Sequence, residues 1–149
     1  MNKESIDLLI TNASEVLTLS GPSRPRVGEE MSDLGIVPSG AVAIRKGKVV
    51  EVGPSSTLSR KYRAKKKVSA KGKVVSPGLV DSHTHLTFSG TRENEFEMRL
   101  KGTSYMEIAR AGGGILSSVD HVRSASRSQI VEESRGWARR MLAHGTTTV

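Results

Sequence analysis

Val75-Ser-Pro-Gly-Leu-Val-Asp-Ser-His-Thr-His-Leu86 places two histidines, two positions apart, at the end of an apolar run that follows a Pro-Gly break. The run Leu79 to Leu86 predicts a strand. In a strand, side chains at i and i+2 share a face with their Cα atoms about 6.6 Å apart. His83 and His85 can then converge on one metal ion, or else form a polar face or a satisfied core pair, and Asp81 falls on the same face, either as a neighbour of the ligands or as a simple strand-end acid. A catalytic zinc site takes three protein ligands plus water, so this pair accounts for only part of one. The polar segment Ser89-Gly-Thr-Arg-Glu-Asn-Glu95 reads as the loop that leaves the strand. Within it, Arg92 is either a bidentate grip for a carboxylate or a surface arginine paired with Glu93 or Glu95.

Outward from this stretch, Pro77-Gly78 marks a boundary, since neither residue belongs inside a central strand. After it the rhythm becomes strand, loop, helix, which predicts β/α architecture over residues 77–149. A helical turn is expected over 97–102. A short helix over 105–110, capped by Thr103 or Ser104, is expected to stop at the flexible turn Gly112-Gly-Gly114. That glycine run lacks the Lys-Ser or Lys-Thr of a phosphate loop. The longest helix opens on the capping pattern Ser126-x-x-Gln129 and carries Ile130, Val131, Trp137, Ala138, Met141 and Leu142 as an apolar stripe. Gly145 ends it and Thr146-Thr-Thr-Val149 begins a β-branched strand.

Residues 1–76 read as short strands and turns. Apolar runs at 7–10 and 16–19 flank the turn-like Thr11-Asn-Ala-Ser14, and residues 21–40 read as loop. The clearest local signal is Ala41-Val-Ala-Ile44 and Val49-Val-Glu-Val52 around Arg45-Lys-Gly-Lys48, a tight hairpin with Gly47 free to take a positive φ. A short helix is expected over 56–62. A weaker hairpin is expected from 68–70 and 73–75 around Lys71-Gly72. Strands at this spacing suggest part of an antiparallel sheet or sandwich.

With 149 residues, 36% hydrophobic and 26% charged, the chain fits one ordinary domain or two small ones. It contains no cysteine, which removes disulfides, thiolate metal sites and cysteine nucleophiles. No apolar run reaches the ~18 residues of a membrane span, and the acidic start lacks a secretory core, so a cytoplasmic protein is expected. The net charge of +8 raises the question of polyanions. Six of the eight residues 60–67 are basic, but aromatics for base stacking are only 3% of the chain. A solvated face is therefore expected, and no nucleic-acid partner. His121 and His144 lack ligand-like spacing and read as structural, His144 favouring a helix C-terminus. Ser82 and Thr84 point away from the histidines and form no triad.

These motifs together resemble a known family. The stretch 75–86 resembles the first barrel strand of the amidohydrolase superfamily. The segment Phe88-Ser-Gly-Thr-Arg-Glu-Asn-Glu-Phe-Glu-Met-Arg-Leu100, with Tyr105-Met-Glu-Ile108 and Ala111-Gly-Gly-Gly-Ile115, is similar to imidazolonepropionases in particular. The early hairpins resemble that family's small β-sandwich, and Ala143-His-Gly-Thr-Thr-Thr-Val149 its second barrel strand.

The resemblance implies an α/β fold: part of a β-sandwich over 1–76, then the first β/α units of a metal-dependent (β/α)8 TIM barrel over 77–149. It implies hydrolysis of the cyclic amide of 4-imidazolone-5-propanoate to N-formimino-L-glutamate, in histidine degradation. His83 and His85 would be ligands of zinc or iron, Arg92 would bind the substrate carboxylate, and the full-length enzyme would be a homodimer. Such a barrel takes about 250 residues, and 73 follow position 76. A truncated, inactive N-terminal portion is therefore expected, with the remaining ligands, the general acid/base and other contacts beyond position 149. The alternatives are a portion of another amidohydrolase or deaminase, a non-catalytic basic binding module using residues 60–67, or a remnant without selected function.

Overall fold

The structure is a computed structural model that describes residues 3–149. It divides into two compact units, Met1–Pro77 and Gly78–Val149. The first is built from β1 (Glu4–Thr11), β2 (Glu15–Leu17), β3 (Ile36–Pro38), β4 (Gly40–Arg45), β5 (Lys48–Pro54), α1 (Ser55–Lys61), β6 (Tyr62–Ser69) and β7 (Val74–Val75). A four-stranded sheet runs β5-β4-β1-β6 and a three-stranded sheet β3-β2-β7.

β4 is buried on both faces, and its alternation separates two cores. Ala41 and Ala43 join Ile6, Leu9, Tyr62 and Leu58 of α1 on one side. Val42, with Ile44 packed beside it, joins Ala13, Val16 and Ala70 on the other, against Val37 and Val75 of the second sheet. This explains why the apolar run 41–44 is continuous, since a strand covered on both sides has no polar face. Gly53 lets α1 lie close, as a Cβ there would come 3.1 Å from Leu58 Cδ1.

The β4–β5 hairpin turns on Lys46 (φ 50°) and Gly47 (φ 73°). Two left-handed central residues match the right-handed twist of the paired strands. Asp7 Oδ2 accepts from the Lys46 amide at 2.7 Å, and Asp7 Oδ1 lies 2.8 Å from Lys65 Nζ, so one carboxylate ties the turn to β1 and β6. These contacts, the Lys65 hydrogen bond foremost, hold the Asp7 carboxyl below its ordinary value.

The second hairpin expected from the sequence does not form. The Lys71-Gly72 turn is present, but β6 pairs in parallel with β1, and β7 in parallel with β2. Ala70, 6% exposed, sinks into the second core and carries the chain from one sheet to the other. The pairing is thus mixed, where antiparallel strands were expected. The segment read as loop contains a 3-10 helix (Gly28–Ser32) and β3, laced by Arg26, which donates to the carbonyls of Leu19, Ser20 and Asp33. The basic run closes α1 and continues along β6, an edge strand whose Lys65, Lys66 and Lys67 are exposed. Edge lysines hinder strand addition from another molecule.

The second unit comprises β8 (Leu79–Val80), α2 (Glu93–Leu100), α3 (Tyr105–Arg110), α4 (Ile115–Ser124), α5 (Arg127–Ala143) and β9 (Thr146–Thr148), with β8 and β9 parallel. Ser104 caps α3 through the Glu107 amide while Glu107 accepts from the Ser104 amide, a closed capping box. Ser126 caps α5 through the Gln129 amide. Among the helices, α2 starts at Glu93, earlier than expected, and α4 is an additional element. Among the described residues of this unit, Ile108 is the one buried hydrophobic side chain, while Phe96, Leu100, Ile115 and Leu116 stay mostly exposed. No helix among the described residues is long and apolar enough to cross a membrane.

Candidate active site

The strand expected over 79–86 stops at Val80. Asp81 Oδ1 accepts from the His83 amide at 3.2 Å, and this local side-chain bond takes the backbone off the ladder. His83 and His85 therefore lie in the loop after β8, where strand alternation no longer fixes their faces. They are brought together all the same, with ring centroids 5.6 Å apart and planes 13° from parallel. Asp81 serves the backbone of His83, and no group of three His, Cys, Asp or Glu side chains able to hold a metal occurs among the described residues.

Past the histidines, Phe88, Ser89 and Gly90 lie against α5. The Phe88 ring stacks on Trp137 at 5.6 Å, and the Arg140 guanidinium lies 4.6 Å from the other ring's centroid. Ser89, 3% exposed, receives a hydrogen bond from Gln129 Nε2 at 3.4 Å. Gly90 donates its amide to Glu133 Oε2 at 3.2 Å, and Gln129 Nε2 also donates to Glu133 Oε1 at 3.0 Å. Gly90 has φ 72°, and a Cβ there would fall 2.6 Å from His121 Nδ1, so the position has room for glycine alone. The hydrogen bond from Gln129, then that from Ser89, then the Gly90 amide, hold the Glu133 carboxyl below the usual glutamate range.

Arg92 stands at the N-cap position of α2 without a side-chain capping bond and pairs with Glu95 at 3.4 Å, leaving its side chain 41% exposed. The Glu95 pairing weighed in the sequence reading is thus present. Glu95 also accepts from the Gly114 amide at 3.0 Å, which anchors the triple-glycine turn. A cleft of about 390 Å³ is lined by His85, Phe88, Thr91, Arg92, Ile115 and Ser118. A second, of about 440 Å³, is lined by His83, Thr84, His85, Leu86 and Thr87, together with Val149. His85 borders both, and Arg92 reaches the first. His121 packs on Gly90 and His144 Nδ1 lies 2.7 Å from the Arg140 carbonyl, so each has a structural partner. Sequence reasoning passed over Glu133 and read Gln129 only as the capping partner of Ser126, whereas its side chain turns to Ser89 and Glu133; their i, i+4 spacing was the available signal.

No family model matches the chain. An imidazolonepropionase of Chloroflexus aggregans is 44% identical over 145 residues, 97% of this chain and 34% of the relative. One from Geobacillus kaustophilus is 46% identical over 147 residues, covering 95% and 35%. One from Symbiobacterium thermophilum is 44% identical over 147 residues, covering 97% and 34%. The chain matches the N-terminal part of imidazolonepropionases. It spans about a third of the length of these curated relatives. The imidazolonepropionase match includes the loop from His83 to Arg92, since it runs over almost the whole chain. A solved adenosine deaminase from Xanthomonas campestris with bound zinc superposes with a TM-score of 0.52 over 98% of this chain and 28% of its own, at 20% identity. That likeness concerns the fold alone: mixed sheets with helices, of the kind the deaminase shares.

Proposed function

We propose that this chain is the amino-terminal portion of a metal-dependent hydrolase that opens the cyclic amide of 4-imidazolone-5-propanoate to N-formimino-L-glutamate. In the reaction a water oxygen bonds to the ring carbonyl carbon, the ring C–N bond breaks and the departing nitrogen takes a proton. The observation that carries the reading is that His85 and Arg92 line one cleft. A guanidinium there grips the propanoate tail and fixes the ring relative to the imidazoles, which supplies orientation.

The donor set was weighed against a zinc or iron ion. Two imidazoles with centroids 5.6 Å apart fit as neighbouring ligands, and they make two of the three donors that a catalytic site requires. His83 and His85 would hold the metal jointly with donors supplied from outside the described residues. When bound, it supplies Lewis-acid activation of water and carbonyl. The finer fold reading follows: residues 1–76 as part of a β-sandwich, and 77–149 as the opening β/α units of a TIM barrel. The parallel β8–β9 pair and the exposed apolar helix faces support it, because parallel strands are ordinarily covered on both sides. A cytoplasmic homodimer is part of the same reading.

The experiment is to assay the longest in-frame product that contains this chain on 4-imidazolone-5-propanoate and on other cyclic amides, and the 149-residue chain alone in parallel. The expected result is turnover of the imidazolone by the longer product, a KM raised by Arg92→Gln, and none by the chain alone. Preference for a different cyclic amide would overturn the substrate. Metal-dependent turnover by the isolated chain would overturn the view that ligands are missing.

A further inference from the structure

We propose that Glu133 and Gln129 of α5 are positioning residues for carboxylate recognition, holding the Ser89–Gly90 segment so that Arg92 is presented to the cleft. The inference rests on the reading of Arg92 as the carboxylate grip and extends it to a helix that touches no substrate.

Arg92 has little to hold it directly. Its side chain is 41% exposed and its ion pair with the half-buried Glu95 spans a long 3.4 Å. What sets its place is the backbone before it. Gly90 has the most conformational freedom in that stretch, yet it is held on several sides. Its amide is taken by Glu133, the His121 ring closes over its Cα, and Ser89 beside it is buried under Gln129. Gln129 donates to both Ser89 and Glu133, which makes the two α5 residues one unit. They stand at i and i+4, on the same helix face. Phe88 on Trp137, one turn beyond Glu133 along α5, secures the start of the segment. A rotation at Gly90 would swing Arg92, two residues on, away from the cleft, and this network opposes that rotation.

The probe is glutarate, a dicarboxylate without the imidazolone ring, titrated into the isotopically labelled chain and followed at the Arg92 Nε–H and Gly90 amide resonances. Glu133→Ala is expected to weaken glutarate binding about tenfold, the scale of one misplaced charge-assisted hydrogen bond, and to shift the Arg92 Nε–H resonance without ligand. Glu133→Gln is expected to do likewise, because its amide group opposes that of Gln129. The exchange Gln129→Glu with Glu133→Gln restores the donor and acceptor roles and is expected to recover the wild-type affinity. These two nearly isosteric forms carry the test if Glu133→Ala does not fold. Binding that depends on Arg92 but is unchanged in both Glu133→Gln and the exchanged pair overturns the proposal alone. Wild-type binding that is absent, or indifferent to Arg92→Gln, overturns the carboxylate reading with it.

Discussion

Glu95 Oε1 accepts a hydrogen bond from the Gly114 amide at 3.0 Å, across nineteen positions of sequence. Gly114 is buried, so removing the acceptor leaves a donor without water. Glu95→Ala is expected to cost about 1–3 kcal/mol of local stability. Hydrogen exchange at the Gly114 amide measures it, and unchanged protection there would contradict the assignment.

Leu58 is fully buried between α1 and the four-stranded sheet. Leu58→Ala is expected to cost about 3 kcal/mol in urea denaturation of the first unit, by lost transfer energy and the cavity left behind. Leu142→Ala, at a side chain 62% exposed, is expected to change stability by less than about 0.5 kcal/mol. Equal effects would mean that the two units are packed alike.

Gly47 has φ 73° and nothing within 4 Å of where a Cβ would stand. Its substitution is therefore a test of backbone conformation without a clash. Gly47→Ala is expected to destabilise the first unit by about 1 kcal/mol, the cost of a left-handed alanine. A neutral substitution would argue against the primed turn.

Asp7 titrates below the ordinary value of 3.8, chiefly through its hydrogen bond with Lys65. A carboxyl lowered on folding contributes stability that is fully present above its unfolded pKa and lost as pH falls through the folded one. The Lys46 amide resonance, which reports the Asp7 contact, is expected to titrate with a midpoint below 3.8. In Lys65→Met the midpoint rises. A midpoint unmoved by that substitution would remove Lys65 as the main cause.

How far these features were visible beforehand depended on whether local or distant forces made them. The β4–β5 hairpin and the Ser104 and Ser126 caps were legible because a turn residue or a cap acts within four positions. The α4 helix was not, since it starts at Gly114 with no side-chain cap, although Ile115, Val119 and Val122 carry the i, i+4, i+7 pattern. β6 was hidden by its lysines, because a neighbouring strand imposes its conformation and its own propensity does not. The His83–His85 pair was found by its spacing for a reason that failed: the expected strand ends early, and the loop brings the rings together anyway. Arg92 was legible as a residue type, but the α5 residues that hold its loop belong to tertiary structure and surfaced only with the fold.

The parallel register of β1 with β6 has a consequence for how the polypeptide is made. Glu4 is aligned with Tyr62 and Thr11 with Ser69, so the central strand cannot be completed until some sixty further residues have left the ribosome. Until then one flank of β1 is bare, and closing so long a loop must precede any reward from the pairing. The lysine-rich strand that ends as the outer edge of the sheet is thus the late arrival on which the nascent first unit waits.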